Sequence, residues 1–204
     1  MKKFLSLPLE KQNAIIDAAL ICFGTNGYKK ASVSDIATAA GISKAMVFHY
    51  FGTKRALYFY LFEVCGNTMI DAINKTFDKD ISDFFDRVLQ AAKIKMGVLK
   101  KHPAIFAFLN SVYFEKDDEV AAEIKAILSK AEGVRSDIAF TGMDASKFKD
   151  EVDPQLVLKM LIWVSEGYMS ELPNAASFDI EVMSKVFEEC LNLLKNNFYK
   201  EEYL

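Results

Sequence analysis

The chain has 204 residues, 51% of them hydrophobic, and a net charge of −3. That is enough apolar material for a real core, which excludes a disordered chain. No apolar run reaches the ~18 residues of a membrane span, and the start, MKKFLSLPLEKQ, is too weakly apolar for a secretory signal, so a cytoplasmic protein is expected.

Almost every segment reads as helix, with little strand alternation, only four prolines and no repeats. A first helix is expected over about residues 9–24, where Ile15, Ile16, Ala19, Leu20 and Phe23 recur at helical spacing and Gly24, Asn26 and Gly27 end it. Ser32 with Asp35 three positions later resembles a capping box with an acidic partner. Ile36, Ala37 and Ala40 then face inward, and Gly41 closes this short helix. Ser43 can open the next, reaching Tyr50 or Phe51, and Thr53 caps a longer helix from Lys54 into the mid-70s.

Further helices are expected at about 82–100 and 104–114, with His102 and Pro103 as the break between them. A stripe from Val120 to Ile138 marks another. The loop 140–153 leads to Asp153 and Pro154, which open a helix over 154–171. The break LPNAAS (172–177) separates it from a last helix at about 178–198. The expected fold is therefore all-α.

The stretch GISKAMVFHYFGTK, residues 41–54, joins a glycine and a short polar step to an aromatic cluster. Two short helices around Gly41 make a helix-turn-helix, whose second helix enters the DNA major groove N-terminus first. Ser43, Lys44 and Ala45 lie at the entering end and are small or basic; Val47 and Phe51, four apart, anchor the helix behind them. Residues 1–56 hold eight lysines and arginines against three acids, a net of +5, which leaves −8 for the rest. A basic head on an acidic body points to a polyanion as the head's partner.

From about residue 9 to 57 the sequence resembles the DNA-binding domain of the TetR family of bacterial regulators. The resemblance rests on Ser32, Asp35, Ile36, Ala37, Gly41, Ile42, Ser43, Phe48, Tyr50, Phe51, Lys54 and Leu57 at the family's offsets. Phe48 stands where the family often has tyrosine, so it offers apolar contact without a hydrogen bond. Val33 stands where threonine often touches phosphate, so Ser32, Ser34 or the helix N-terminus has to substitute. The DNA-contacting set implied is Ser32, Ser34, Ser43, Lys44, Ala45, Phe48, His49, Tyr50 and Lys54. Tyr50 serves packing, phosphate or both; His49 faces phosphate or water.

The resemblance implies a three-helix DNA-binding domain over 1–52 and a larger helical domain over 53–204 for ligand binding and dimerisation. It also implies a ligand cavity, with Phe84, Met96, Phe106, Tyr113, Trp163 and Tyr168 as candidate lining. The helix around Trp163 is apolar over too wide an arc for a monomer's surface, so the last two helices are the expected dimer interface. Its candidates are Leu161, Trp163, Val186, Phe187, Leu191 and Leu194. Two heads on a two-fold axis read a palindrome. The helix from Thr53 is the expected lever between head and body. The expected function is a repressor released from its operator by a small, largely apolar effector.

No cofactor or metal is expected. Cys22, Cys65 and Cys190 lack metal or disulfide spacing, and neither histidine has a ligand partner. The rival, a helical enzyme or carrier, lacks a nucleophile elbow, a phosphate-binding glycine loop and a carboxylate pair.

Overall fold

The computed structural model describes residues 1–171 and 179–204; the break expected at LPNAAS lies outside the described residues. The helices are α1 Lys2–Leu5, α2 Leu9–Lys30, α3 Val33–Ala39, α4 Lys44–Phe51 and α5 Lys54–Thr76, then α6 Phe84–Lys101, α7 Pro103–Tyr113, α8 Ala121–Phe140, α9 Pro154–Glu171 and α10 Ile180–Phe198. Among the described residues β pairing is limited to one isolated antiparallel bridge, Phe148 with Tyr199.

Two compact units form. The first takes Met1–Ile70 and Lys101–Ala126; the second takes Asp71–Lys100 and Ile127–Leu204. Packing thus divides the chain differently from the expected functional cut after residue 52. The reason is α7, which packs along α2 inside the first unit.

Contrary to expectation, α2 does not stop at Gly24. A Cβ there would lie 2.9 Å from the carbonyl carbon of Ala107 and from the amide nitrogen of Phe108. Gly24 is therefore a close-approach residue for α7, not a helix stop. The helical backbone breaks three residues later at Gly27, whose φ of 68° and ψ of 177° suit glycine. The Ser111 hydroxyl donates to the Phe23 carbonyl at 3.1 Å. Phe23, Tyr58 and Phe108 meet edge to face, with centroids 5.0 and 5.2 Å from Tyr58.

The N-terminal residues also fold in. Phe4 is fully buried, 4.8 Å from the Phe51 ring and 5.5 Å from Tyr60. The N-terminal amine donates to the Tyr50 carbonyl at 2.8 Å. Aromatic contacts of this kind add to area burial, so α1 holds the end of α4 in place.

In the second unit Phe84, Phe85, Ala139, Phe148, Val157, Leu161, Leu191 and Tyr199 form one core. The segment expected as loop, 140–153, contains a 3₁₀ turn at Ala145–Lys147 and drives Phe148 into this core. The Tyr199 hydroxyl accepts the Phe84 amide at 3.2 Å, while its ring meets Phe148 and Phe85 edge to face. Among the described residues, two charged side chains are buried here. Asp83 pairs with Lys147 at 3.2 Å and Lys195 at 3.1 Å, and its carboxylate accepts the Asp86 amide, capping α6. Arg87 is met by three carbonyls, those of Ile138, Lys79 and Ile81. Both obey the rule that buried charge is paired or hydrogen-bonded.

Candidate nucleic-acid interface

The turn between α3 and α4 is built from local chemistry. The Ser32 hydroxyl accepts the Asp35 amide at 3.3 Å, and that of Ser43 accepts the Met46 amide at 3.3 Å. Each satisfies a donor that an uncapped helix start leaves free. Between them Gly41 takes φ 67°, and the Ile42 amide returns to the Ala37 carbonyl at 2.9 Å. This is a glycine-closed helix end that turns the chain sharply into α4.

One face of α4 is buried: Val47 at 1% exposure, Tyr50 at 7% and Phe51 at 6%. The opposite face carries Ser43, Lys44, Ala45, Phe48 and His49, all exposed. Positions 44, 45, 48 and 49 repeat at helical spacing, so they form one surface. Phe48 and Met46 are large apolar side chains left open on this surface. The five exposed residues are five of the nine expected DNA contacts, brought together on one helix. Ser34 is also exposed, at the start of α3.

The other three differ. Tyr50 is buried, its ring 6.1 Å from Phe4, which gives it a packing role. Ser32 is half-buried and its hydroxyl is taken by the cap. Lys54 donates to the Lys29 carbonyl at 3.1 Å, and its ammonium lies 4.7 Å from the Tyr28 ring centre. It therefore closes the end of α2 and makes a cation–π contact.

A set of acids was missed from the sequence. The Tyr28 amide donates to the Glu115 carboxylate and its hydroxyl to Glu119, each at 2.6 Å. Burial first, then Glu119, pushes the Tyr28 phenol well above its ordinary range. Arg55 donates to the Glu119 carbonyl at 3.1 Å and pairs with Glu123. These partners lie more than 60 positions apart, so no local pattern announces them. They engage Arg55, while Lys2, Lys3, Lys11, Lys29, Lys30 and Lys44 remain exposed.

The expected ligand-lining residues are divided between the two units. Phe106 and Tyr113 belong to the first unit; Phe84, Met96, Trp163 and Tyr168 belong to the second. Phe84 lies in the closed aromatic core, whereas Trp163 is 57% exposed. The expected interface residues also separate. Leu161 and Leu191 are buried inside the subunit's own core, because α9 and α10 each turn one leucine toward Phe84 and Phe85. Phe187 and Leu194 pack partly against that core. Trp163 and Val186 are exposed, as are Val164 and Val182. Among the described residues, no helix is long and apolar enough to cross a membrane.

Residues 15–61 match the family model for bacterial regulatory proteins of the tetR family. The chain is 24% identical over 190 residues to a fatty acid metabolism regulator protein of Bacillus subtilis, covering 89% of this chain and 93% of that one. It is 23% identical over 189 residues to the transcriptional repressor AcnR of Corynebacterium efficiens, covering 89% and 90%. It shares the fold of the regulator FadR of Bacillus subtilis, solved with stearoyl-CoA, at a TM-score of 0.69, 21% identity and coverage of 88% and 96%. The capped helix-turn-helix, the exposed face of α4 and these likenesses lead to one conclusion: residues 15–61 are a DNA-binding domain of the tetR type, and the chain is similar along most of its length to DNA-binding transcriptional regulators.

Proposed function

We propose that the protein is a cytoplasmic repressor that binds a palindromic operator as a homodimer and leaves it when a small, largely apolar effector binds the helical body. The observation that carries the DNA-binding half is the exposed row Ser43, Lys44, Ala45, Phe48 and His49 on α4. Such a row supplies basic, small and apolar groups to base edges and phosphates. Ser34 at the start of α3 adds a hydroxyl.

Dimerisation is supported by exposed apolar side chains on α9 and on α10. Trp163, Val164, Val182 and Val186 expose 57%, 49%, 51% and 39% of their surface. Exposed apolar side chains of this kind favour a partner, and a second copy supplies a self-complementary one. The fatty-acid and stearoyl-CoA connections in the relatives' names support an apolar effector. Release follows if the effector binds the DNA-free state more tightly; operator DNA must then weaken effector binding by the same factor.

Footprinting the full-length protein on its own upstream DNA, with and without cell extract, tests this. The expected result is a symmetric protected site that extract abolishes. Absence of any protected site overturns it.

A further inference from the structure

Lys54, an expected phosphate contact, is engaged inside the protein by the Lys29 carbonyl and the Tyr28 ring. Two other lysines stand beside the end of α4. Lys2 and Lys3 on α1 are exposed, and among the described residues neither ammonium has an acceptor. Their place is fixed by the residues around them. Phe4, fully buried, lies 4.8 Å from Phe51 and 6.1 Å from Tyr50, ring centre to ring centre. The Met1 amine donates to the Tyr50 carbonyl at 2.8 Å. One N–Cα bond and one Cα–Cα step then keep the Lys2 Cα within about 8 Å of that carbonyl. The Tyr50 ring is in turn 5.8 Å from that of His49, on the exposed face of α4.

The stretch after the two lysines is tied down as well. The Gln12 side chain donates to the Leu5 and Leu7 carbonyls at 3.3 and 2.8 Å, and the Ser6 hydroxyl donates to the Lys3 carbonyl at 2.9 Å. The two lysines therefore project from an ordered backbone, which lessens the freedom lost when they meet a partner. A recognition helix enters the major groove N-terminus first, and its far end passes the phosphate backbone. In this protein α1 sits at that far end.

We propose that α1 is a second DNA-contacting element, in which Lys2 and Lys3 hold phosphates of the duplex beside the C-terminal end of α4. They take the phosphate role from which Lys54 is diverted. Contacts of this kind fix the register of the protein on the duplex without reading sequence. α1 lies outside residues 15–61, the part that matches the family model. The inference rests on the α4 face being the DNA-binding surface.

Fluorescence anisotropy of the full-length protein tests it, with the upstream fragment and an unrelated duplex of equal length over a series of salt concentrations. Lys2→Ala combined with Lys3→Ala should weaken binding to both duplexes by similar factors, on the order of tenfold or more near about 0.1 M salt. It should also reduce the magnitude of the log–log slope by about three to four per dimer, for two phosphates lost in each subunit. Lys2→Arg with Lys3→Arg should keep affinity and slope, because a guanidinium also holds phosphate. Lys125→Ala with Lys130→Ala removes the same charge from exposed positions of α8 and should leave the slope unchanged. An unchanged slope in the α1 alanine variant, a loss that the arginines do not restore, or an equal fall in the α8 control would overturn the proposal. Wild-type protein that binds both duplexes equally sinks only the operator reading, since the slope on either duplex still reports the two lysines. Operator binding with an unchanged slope in the alanine variant sinks only this inference, and wild-type protein that binds neither duplex overturns both.

Discussion

Replacing Gly24 by alanine should weaken the first unit even though alanine is the better helix former. Inside a helix the exchange contributes up to about 1 kcal/mol of stability. The added methyl, however, lands 2.9 Å from two backbone atoms of α7 and 3.0 Å from the Ala107 Cβ. Backbone cannot rotate away, so α7 must retreat or α2 must bend. Overpacking of this kind costs about 1–3 kcal/mol, and the net loss is then about 0–2 kcal/mol. The control is Gly97→Ala in the middle of α6, where nothing lies within 4 Å of the new Cβ. That exchange should stabilise by about 0.5–1 kcal/mol. Urea unfolding of both full-length variants, followed by circular dichroism, gives the two signs. If Gly24→Ala stabilises as much as Gly97→Ala, α2 and α7 do not approach each other through Gly24.

Burial alone would raise the Asp83 carboxyl, but the Asp86 amide, Lys195 and Lys147 outweigh it and hold the group below its ordinary value. Its stabilisation is therefore full above the ordinary carboxylate range and is lost as pH falls through the depressed value. Asp83→Asn should cost about 2–3 kcal/mol at neutral pH, and the two proteins should converge in acid melts well below pH ~4. Lys44→Ala should lower operator affinity and reduce the magnitude of the salt slope by about two per dimer if each lysine meets a phosphate. Lys54→Ala should mainly lower the melting temperature, because its ammonium serves Lys29 and Tyr28. Val186→Glu should split the dimer, since burying an unpaired carboxylate costs several kcal/mol. Sedimentation checks this, and a folded dimer that still binds the operator would place the interface elsewhere.

What the sequence reveals is what local chemistry decides. Ser32, Ser43 and Thr53 sit before short apolar runs, and each caps the helix expected of it. The two faces of α4 follow from spacing alone. What the sequence hides depends on distant partners. Gly24 reads as a helix stop because its tight neighbour is α7, more than 80 positions on. Arg87 is buried, and its acceptors are carbonyls of Lys79, Ile81 and Ile138, the last of them 51 positions away. Leu161 and Trp163 are indistinguishable in an apolar helix until packing turns one inward and leaves the other exposed.

The most direct test of the central claim is the salt dependence of binding to a labelled upstream fragment, followed by fluorescence anisotropy. Two heads, each with an exposed basic face, should give a log–log slope of magnitude about 6 or more. Competitor DNA of unrelated sequence should bind far more weakly. A flat salt response, or equal binding to unrelated DNA, would contradict the assignment of the α4 face as a sequence-reading surface.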